Sequence, residues 1–219
     1  MADGLYRAIK TVLTPLADVY FELRASGHEL LSSGPFILAA NHASLLDWVF
    51  VARFVTRPVR FVLTREFFDQ RALSWAYRRL GVIPIRDGAI ELSAVRQLLT
   101  TLRRGEIVGV FPEGRITRDG ALAPGEPGVI TIAARAGVAI VPVGVHGAFE
   151  AFPRDAWFPR PRPIRVHFGT GLPIPRSAAT DRDEQRHLLA TLMREIAALR
   201  ATAAAGDQRP AHRRAEDRE

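Results

Sequence analysis

Short runs of apolar, often β-branched residues alternate along the chain with longer stretches in which apolar positions recur every three or four residues. The short runs, PFILAA at 35–40, VRFVL at 59–63, VIPI at 82–85, EIVGVF at 106–111, AIVPVG at 139–144 and IRVHF at 164–168, read as strands. The longer stretches, near 44–56, 66–80, 89–103, 127–136 and 182–202, read as helices. This alternation, with Gly and Pro in the connections, predicts a single α/β domain: a largely parallel central sheet with helices on both faces. In such sheets, sites gather at the loops leaving the carboxyl ends of the strands.

The two ends of the chain read differently. Over residues 5–24, Leu5, Ile9, Val12, Leu13, Leu16, Val19 and Leu23 fall at helical spacing among Arg7, Lys10, Asp18 and Glu22. Such a helix either covers the core or lies in a lipid interface, and Pro15 kinks or breaks it. The final stretch is polar, charged and aperiodic, which predicts a disordered tail. The expected division is an N-terminal amphipathic segment over 1–27, one domain over 28–202 and a tail over 203–219. No apolar run reaches the roughly 18–20 residues needed to span a bilayer, and the N-terminus lacks the pattern of a secretory signal. The expectation is a protein peripheral on the cytoplasmic face of a membrane.

Composition narrows the chemistry. The 219 residues contain no cysteine, which excludes disulfides, thiolate nucleophiles and cysteine-ligated zinc. The formal net charge is +7, and Lys10 is the only lysine, so the cationic side is almost wholly arginine. Arginine's planar fork suits phosphate, which makes phospholipid surfaces, phosphorylated metabolites or nucleic acid the candidate partners. The arginines are scattered and no helix-turn-helix or aromatic RNA-binding motif occurs, which argues against nucleic acid. His28, His42, His146, His167, His187 and His212 show no metal-ligand spacing, so no metal is expected.

The stretch AANHASLLDW, residues 39–48, follows a strand and precedes a helix. If the helix begins at Ser44, Ser44-x-x-Asp47 has the shape of a capping box with Asp in place of Glu, a purely structural role. Residues five apart on a regular helix point about 140° away from each other, so His42 and Asp47 meet only if His42 sits in the turn before the helix. That geometry would hold a neutral imidazole through one ring nitrogen and leave the other free to take a proton from an attacking hydroxyl. No Gly-x-Ser-x-Gly elbow occurs, and Ser44 is better placed to cap than to attack, so direct transfer to an external hydroxyl is favoured. Both the cap and the catalytic pair remain open.

Two further strand ends carry candidate anion ligands. EIVGVFPEGRITRDG, residues 106–120, ends a strand in Pro112-Glu113-Gly114-Arg115, where backbone amides and a guanidinium can face an anion and Glu113 opposes one unless it pairs with an arginine. GVIPIRDG ends another strand at Arg86. Each reads alone as a polar turn with a surface ion pair; together three strand ends present their polar residues to one rim of the sheet.

In order and separation these motifs resemble the lysophospholipid acyltransferase family, typified by 1-acylglycerol-3-phosphate acyltransferase. Asn41-His42-Ala-Ser-Leu-Leu-Asp47 is similar to the family's first motif, Gly81-Val-Ile-Pro-Ile-Arg86 to the second, Phe111-Pro112-Glu113-Gly114-Arg115 to the third and Ile140-Val141-Pro142-Val143 to the fourth, over roughly residues 28–170. The resemblance implies the glycerolipid acyltransferase fold and transfer of a fatty acyl group to a lysophospholipid hydroxyl, lysophosphatidic acid first among acceptors. The donor it implies is acyl-CoA or acyl-carrier protein, a substrate rather than a bound cofactor. By the same analogy His42 is the general base, Asp47 orients it, Arg86, Glu113, Gly114 and Arg115 bind the glycerol phosphate, Pro142 shapes the acyl or thioester pocket, and an anionic membrane surface is a partner. The chain departs from the family in having Glu126 where members often carry a basic residue. Rival readings are an acyltransferase for another lipid acceptor, such as lysophosphatidylethanolamine, a glycolipid or an ornithine lipid, and a non-catalytic lipid-binding module. Oligomeric state has no signature in the sequence.

Overall fold

The computed structural model describes residues 4, 10, 11, 15–31, 33–69, 74–85 and 91–207. Residues 5–9 and 12–14 of the expected 5–24 helix, Arg86 and the end of the tail fall outside them. A seven-stranded sheet runs in the order β1-β7-β6-β2-β5-β3-β4. Its strands are β1 (Arg24–Ser26), β2 (Ile37–Ala40), β3 (Val59–Thr64), β4 (Ile83–Ile85), β5 (Ile107–Val110), β6 (Ile140–His146) and β7 (Arg165–Phe168). Every pairing is parallel except β6 with β7. The helices are α1 (Asp47–Arg53), α2 (Arg65–Phe68), α3 (Ser74–Leu80), α4 (Leu92–Arg103), α5 (Gly128–Ala136), α6 (Ala148–Ala151) and α7 (Arg182–Asp207).

The central strand explains the layering. All four residues of β2 are buried, and because successive side chains of a strand point to opposite faces, they divide between two cores. Leu38 and Ala40 join Phe50, Val51 and Ala52 of α1 with Phe21 and Leu23; Ile37 and Ala39 join Leu98 and Leu102 of α4, Ile130 and Ala133 of α5, and Leu192 and Ile196 of α7. On α4, Ala94, Leu98 and Leu102 recur at every fourth residue and are the buried ones. The helix α7 lies directly on β6: a Cβ added at Gly144 would stand 2.3 Å from the Arg200 backbone nitrogen. Gly144 is therefore what lets the helix approach the sheet.

The structure corrects several expected boundaries. The helix expected over 44–56 is confined to Asp47–Arg53, and the one expected over 66–80 is two pieces, α2 and α3. The last helix runs to Asp207, five residues beyond the expected end. β1, α6 and two 3-10 turns, His28–Leu30 and Arg176–Ala179, had no counterpart among the elements expected from the sequence. β1 pairs with β7 through Arg24 opposite Arg165, so the sheet begins ahead of the boundary placed at residue 28. Residues 15–20 are helical, and Asp18 binds the Arg53 guanidinium of α1 through Nε and Nη2 at 2.8–3.0 Å.

Candidate active site

β2 ends at Ala40, and its ladder with β6 ends at Ala40 opposite Val143. The Asn41 side chain takes over from the backbone there. Its Nδ2 donates to the Val145 carbonyl at 3.0 Å and its Oδ1 accepts the Val145 amide at 2.7 Å. Asn41 thus occupies both polar groups of one β6 residue, which frees its own main chain to leave the sheet. His42 follows in the turn rather than on the helix, the condition that lets it reach Asp47.

The two side chains meet: His42 Nδ1 lies 2.9 Å from Asp47 Oδ2. The same oxygen accepts the amides of Ala43 and Ser44, each at 2.7 Å. The cap and the pair are therefore one arrangement. Asp47 is the first residue of α1 and reaches back over the turn as the acidic half of a capping box does, while its carboxylate also holds the imidazole. The reciprocal half is absent, because Ser44 Oγ accepts the Leu46 amide at 3.2 Å and donates to the Phe152 carbonyl at 2.8 Å. Ser44 is committed to this structure.

Asp47 is 0% exposed, and the His42 side chain retains 17% of its surface. A carboxylate can only accept, so Nδ1 carries the hydrogen and Nε2 is left with its lone pair. Phe111, the residue after β5, stacks on the imidazole with ring centroids 3.9 Å apart and planes 12° from parallel. The ring is thus fixed by a hydrogen bond on one edge and a flat apolar surface on one face.

The main chain of His42 is pinned as well. Its amide donates to Glu113 Oε1 at 2.7 Å and its carbonyl accepts the Thr117 amide at 2.9 Å. Glu113 Oε2 accepts the Ala123 amide at 2.8 Å. Burial pushes the Glu113 carboxyl above its ordinary range, and the two donated amides offset part of that. Both Glu113 oxygens therefore serve the scaffold: they join the His42 turn to the loop after β5. Gly114, at φ +68°, makes the left-handed turn that lets this loop double back. Arg115 is exposed and has no polar partner among the described residues. Pro142 is buried within β6, opposite Ala39. Among the described residues no group of three or more His, Asp or Glu is placed to hold a metal.

Thr117 was not singled out from the sequence, and Asn41 and Phe111 were named within motifs without a role of their own. Asn41 and Phe111 stood beside the residues singled out, but nothing in their spacing reports that one mends the sheet and the other stacks on the imidazole.

Fold and site together define an α/β protein whose histidine–carboxylate pair stands at the carboxyl rim of a mostly parallel sheet, with the adjacent Ser44 hydroxyl bonded to the Phe152 carbonyl. Residues 22–146 match the model of the family described as Acyltransferase, and the chain belongs to that family. It is 28% identical over 138 residues to the chloroplastic 1-acyl-sn-glycerol-3-phosphate acyltransferase of Arabidopsis thaliana, covering 61% of this chain and 38% of that one. It is 29% identical over 144 residues to the lyso-ornithine lipid O-acyltransferase of Pseudomonas aeruginosa, covering 65% and 54% respectively. The chain thus spans between about a third and somewhat over half of these relatives. The 1-acyl-sn-glycerophosphate acyltransferase of Thermotoga maritima shares its fold, with a TM-score of 0.74 over 96% of this chain and 83% of that one, at 21% identity.

Proposed function

We propose that the protein transfers a fatty acyl group from an acyl-CoA or acyl-carrier-protein thioester to the free hydroxyl of a lysophospholipid, with lysophosphatidic acid as the leading acceptor. The observation that carries this reading is the His42–Asp47 contact in a chain of the acyltransferase family. In the first step His42 Nε2 takes the acceptor hydroxyl's proton as its oxygen bonds to the thioester carbonyl carbon, giving a tetrahedral intermediate. Asp47 offsets the charge of the imidazolium so formed. The intermediate then collapses, the C–S bond breaks, and the imidazolium returns the proton to the departing sulfur. The donor is a substrate, and no resident cofactor enters the scheme.

Arg115, exposed on the neighbouring strand end, suits the phosphate of the acceptor, with Arg86 as a second guanidinium in the same role. Glu113 acts as a positioning residue through the His42 amide. Among the described residues no helix is long and apolar enough to cross a membrane; a peripheral position on an anionic bilayer at the cytoplasmic face accords with the arginine-rich balance.

The test supplies acyl thioester and lysophosphatidic acid to wild type and to His42→Ala, following thiol release and phosphatidic acid formation. Loss of at least about 10²-fold in the variant is expected; equal turnover removes His42 from the mechanism. A second acceptor is favoured by one observation, the comparable identity to the lyso-ornithine lipid enzyme. Profiling lysolipids against one thioester decides between them.

A further inference from the structure

The connection between β6 and β7 contains an aromatic tip that the reaction does not use. Trp157 is 94% exposed and Phe158 76% exposed, next to each other in sequence. The loop that presents them is closed at its neck, where the Arg160 amide donates to the Ala151 carbonyl at 2.7 Å, and it turns inside through the Ala156 amide on the Pro153 carbonyl at 3.0 Å. The exposed pair is thus held out by an ordered excursion. Two solvent-facing aromatics on a closed loop cost the fold hydrophobic burial that it could otherwise gain.

The loop's position relates it to the site. β6 and β7 are antiparallel, with His146 opposite Arg165, so residues 147–164 lie at the carboxyl end of β6. β2 is parallel to β6, which puts His42 at the same end. The Ser44 hydroxyl bonded to the Phe152 carbonyl joins the catalytic turn to the start of the loop. On its other side the loop meets the N-terminal helical turn: Tyr20 Oη donates to the Pro159 carbonyl at 2.8 Å, and the Ile164 amide donates to the Phe21 carbonyl at 2.9 Å. That turn exposes Leu16, Val19 and Tyr20. Arg154, Arg160 and Arg162 are exposed and their guanidinium groups have no polar partner among the described residues, against the acids Glu150 and Asp155 on the same connection.

We infer that the Trp157–Phe158 loop, with the exposed face of the adjoining N-terminal turn, is a docking surface for an anionic phospholipid bilayer, which it sets against the catalytic rim. An indole and a phenyl ring at the tip suit the interfacial zone, and the three arginines behind them suit lipid phosphates. The inference rests on the lipid-acceptor reading above for its purpose, but binding is measurable without turnover.

The experiment uses the purified full chain and phosphatidylcholine vesicles with or without phosphatidylglycerol, in the absence of acyl donor. Wild type is expected to sediment with the anionic vesicles, and the Trp157→Ser/Phe158→Ser variant to partition at least about tenfold more weakly. Arg154→Gln/Arg160→Gln/Arg162→Gln should lose the preference for anionic over neutral vesicles. Melting curves matching wild type establish that the exposed substitutions leave the fold intact. Independently, tryptophan emission should shift to the blue on vesicles in wild type and shift less in Trp157→Phe. Vesicle binding by the Trp157/Phe158 variant equal to wild type, or no binding by wild type, overturns the inference. So does a dimer seen by sedimentation velocity that the variant abolishes while vesicle binding persists, which would assign the face to a second copy. Loss of binding in the variant with no turnover in wild type leaves the docking surface standing and removes acyl transfer; turnover with undiminished binding in the variant does the reverse.

Discussion

Replacing Asp47 by Asn separates the two jobs of one side chain. All three donors converge on Oδ2, so an asparagine carbonyl in that place can accept the Ala43 and Ser44 amides and the His42 Nδ1 hydrogen. The turn and the imidazole tautomer then survive, and what is lost is the negative charge beside the imidazolium. With charge centres about 4 Å apart and an effective dielectric constant near 20, that interaction is worth about 4 kcal/mol. The partial exposure of His42 discounts this to about 3 kcal/mol, or roughly a 10²-fold slower acyl transfer at about 1.4 kcal/mol per decade. The asparagine NH2 would occupy the position of Oδ1, which is buried and without a partner among the described residues. That costs about 1–3 kcal/mol of stability, a fall in Tm of about 3–10 °C for a chain of this size. The assay is kcat with saturating thioester and lysophosphatidic acid, measured well below the lowered Tm. Activity within about threefold of wild type, together with the fall in Tm, would refute a catalytic role and leave Asp47 as a helix cap.

Asn41→Ala leaves the buried amide and carbonyl of Val145 unpaired, so unfolding in urea should show a loss of about 2–5 kcal/mol; less than about 1 kcal/mol would mean the β6 end relaxes into other partners. Gly144→Ala puts a methyl 2.3 Å from the Arg200 nitrogen and 2.5 Å from the Leu199 carbonyl carbon, and should cost about 1–3 kcal/mol or more as α7 is pushed off the sheet, read by the same titration. Glu113 carries a pH signature. Its carboxyl is raised by burial in the folded state, so between its ordinary value of 4.5 and the raised one the folded chain holds a proton that the unfolded chain has released. Its contribution to stability is therefore full below that window and falls as pH rises through it. The Tm difference between wild type and Glu113→Gln should drop across the window and be flat above it; a difference that grows with pH would refute the direction.

The strands were legible because each is a short apolar run ended by Gly, Pro or a polar residue, and parallel strands covered on both faces keep that pattern. β1 was not, because its three residues, Arg24, Ala25 and Ser26, carry no apolar pattern; their place in the sheet comes from β7, some 140 positions later. The short helix α6 lacks the length for periodicity to show. Within the site, spacing set the condition for a His42–Asp47 contact, a turn before the helix, but did not decide between a cap and a pair; the contact itself comes from the fold. Glu113 was assigned to the acceptor through the resemblance, whereas its oxygens engage two main-chain amides, one 71 positions back in the sequence. Local spacing carries no record of a contact that distant.

The His42 turn is held chiefly by contacts in which at least one partner is main chain. Asn41 bonds the main chain of Val145, Ser44 that of Phe152, and Glu113 the amides of His42 and Ala123, while the Thr117 amide reaches the His42 carbonyl. On one side of each contact the group is a peptide N–H or C=O, which every residue but proline can supply in full. The side chains at 123, 145 and 152 are thereby released from polar duty in these contacts, whereas the Thr117 hydroxyl donates to Asp119 Oδ1 at 2.7 Å. The turn's geometry therefore depends on where the backbone runs and on the few side chains, Asn41, Ser44, Asp47 and Glu113, that reach for it.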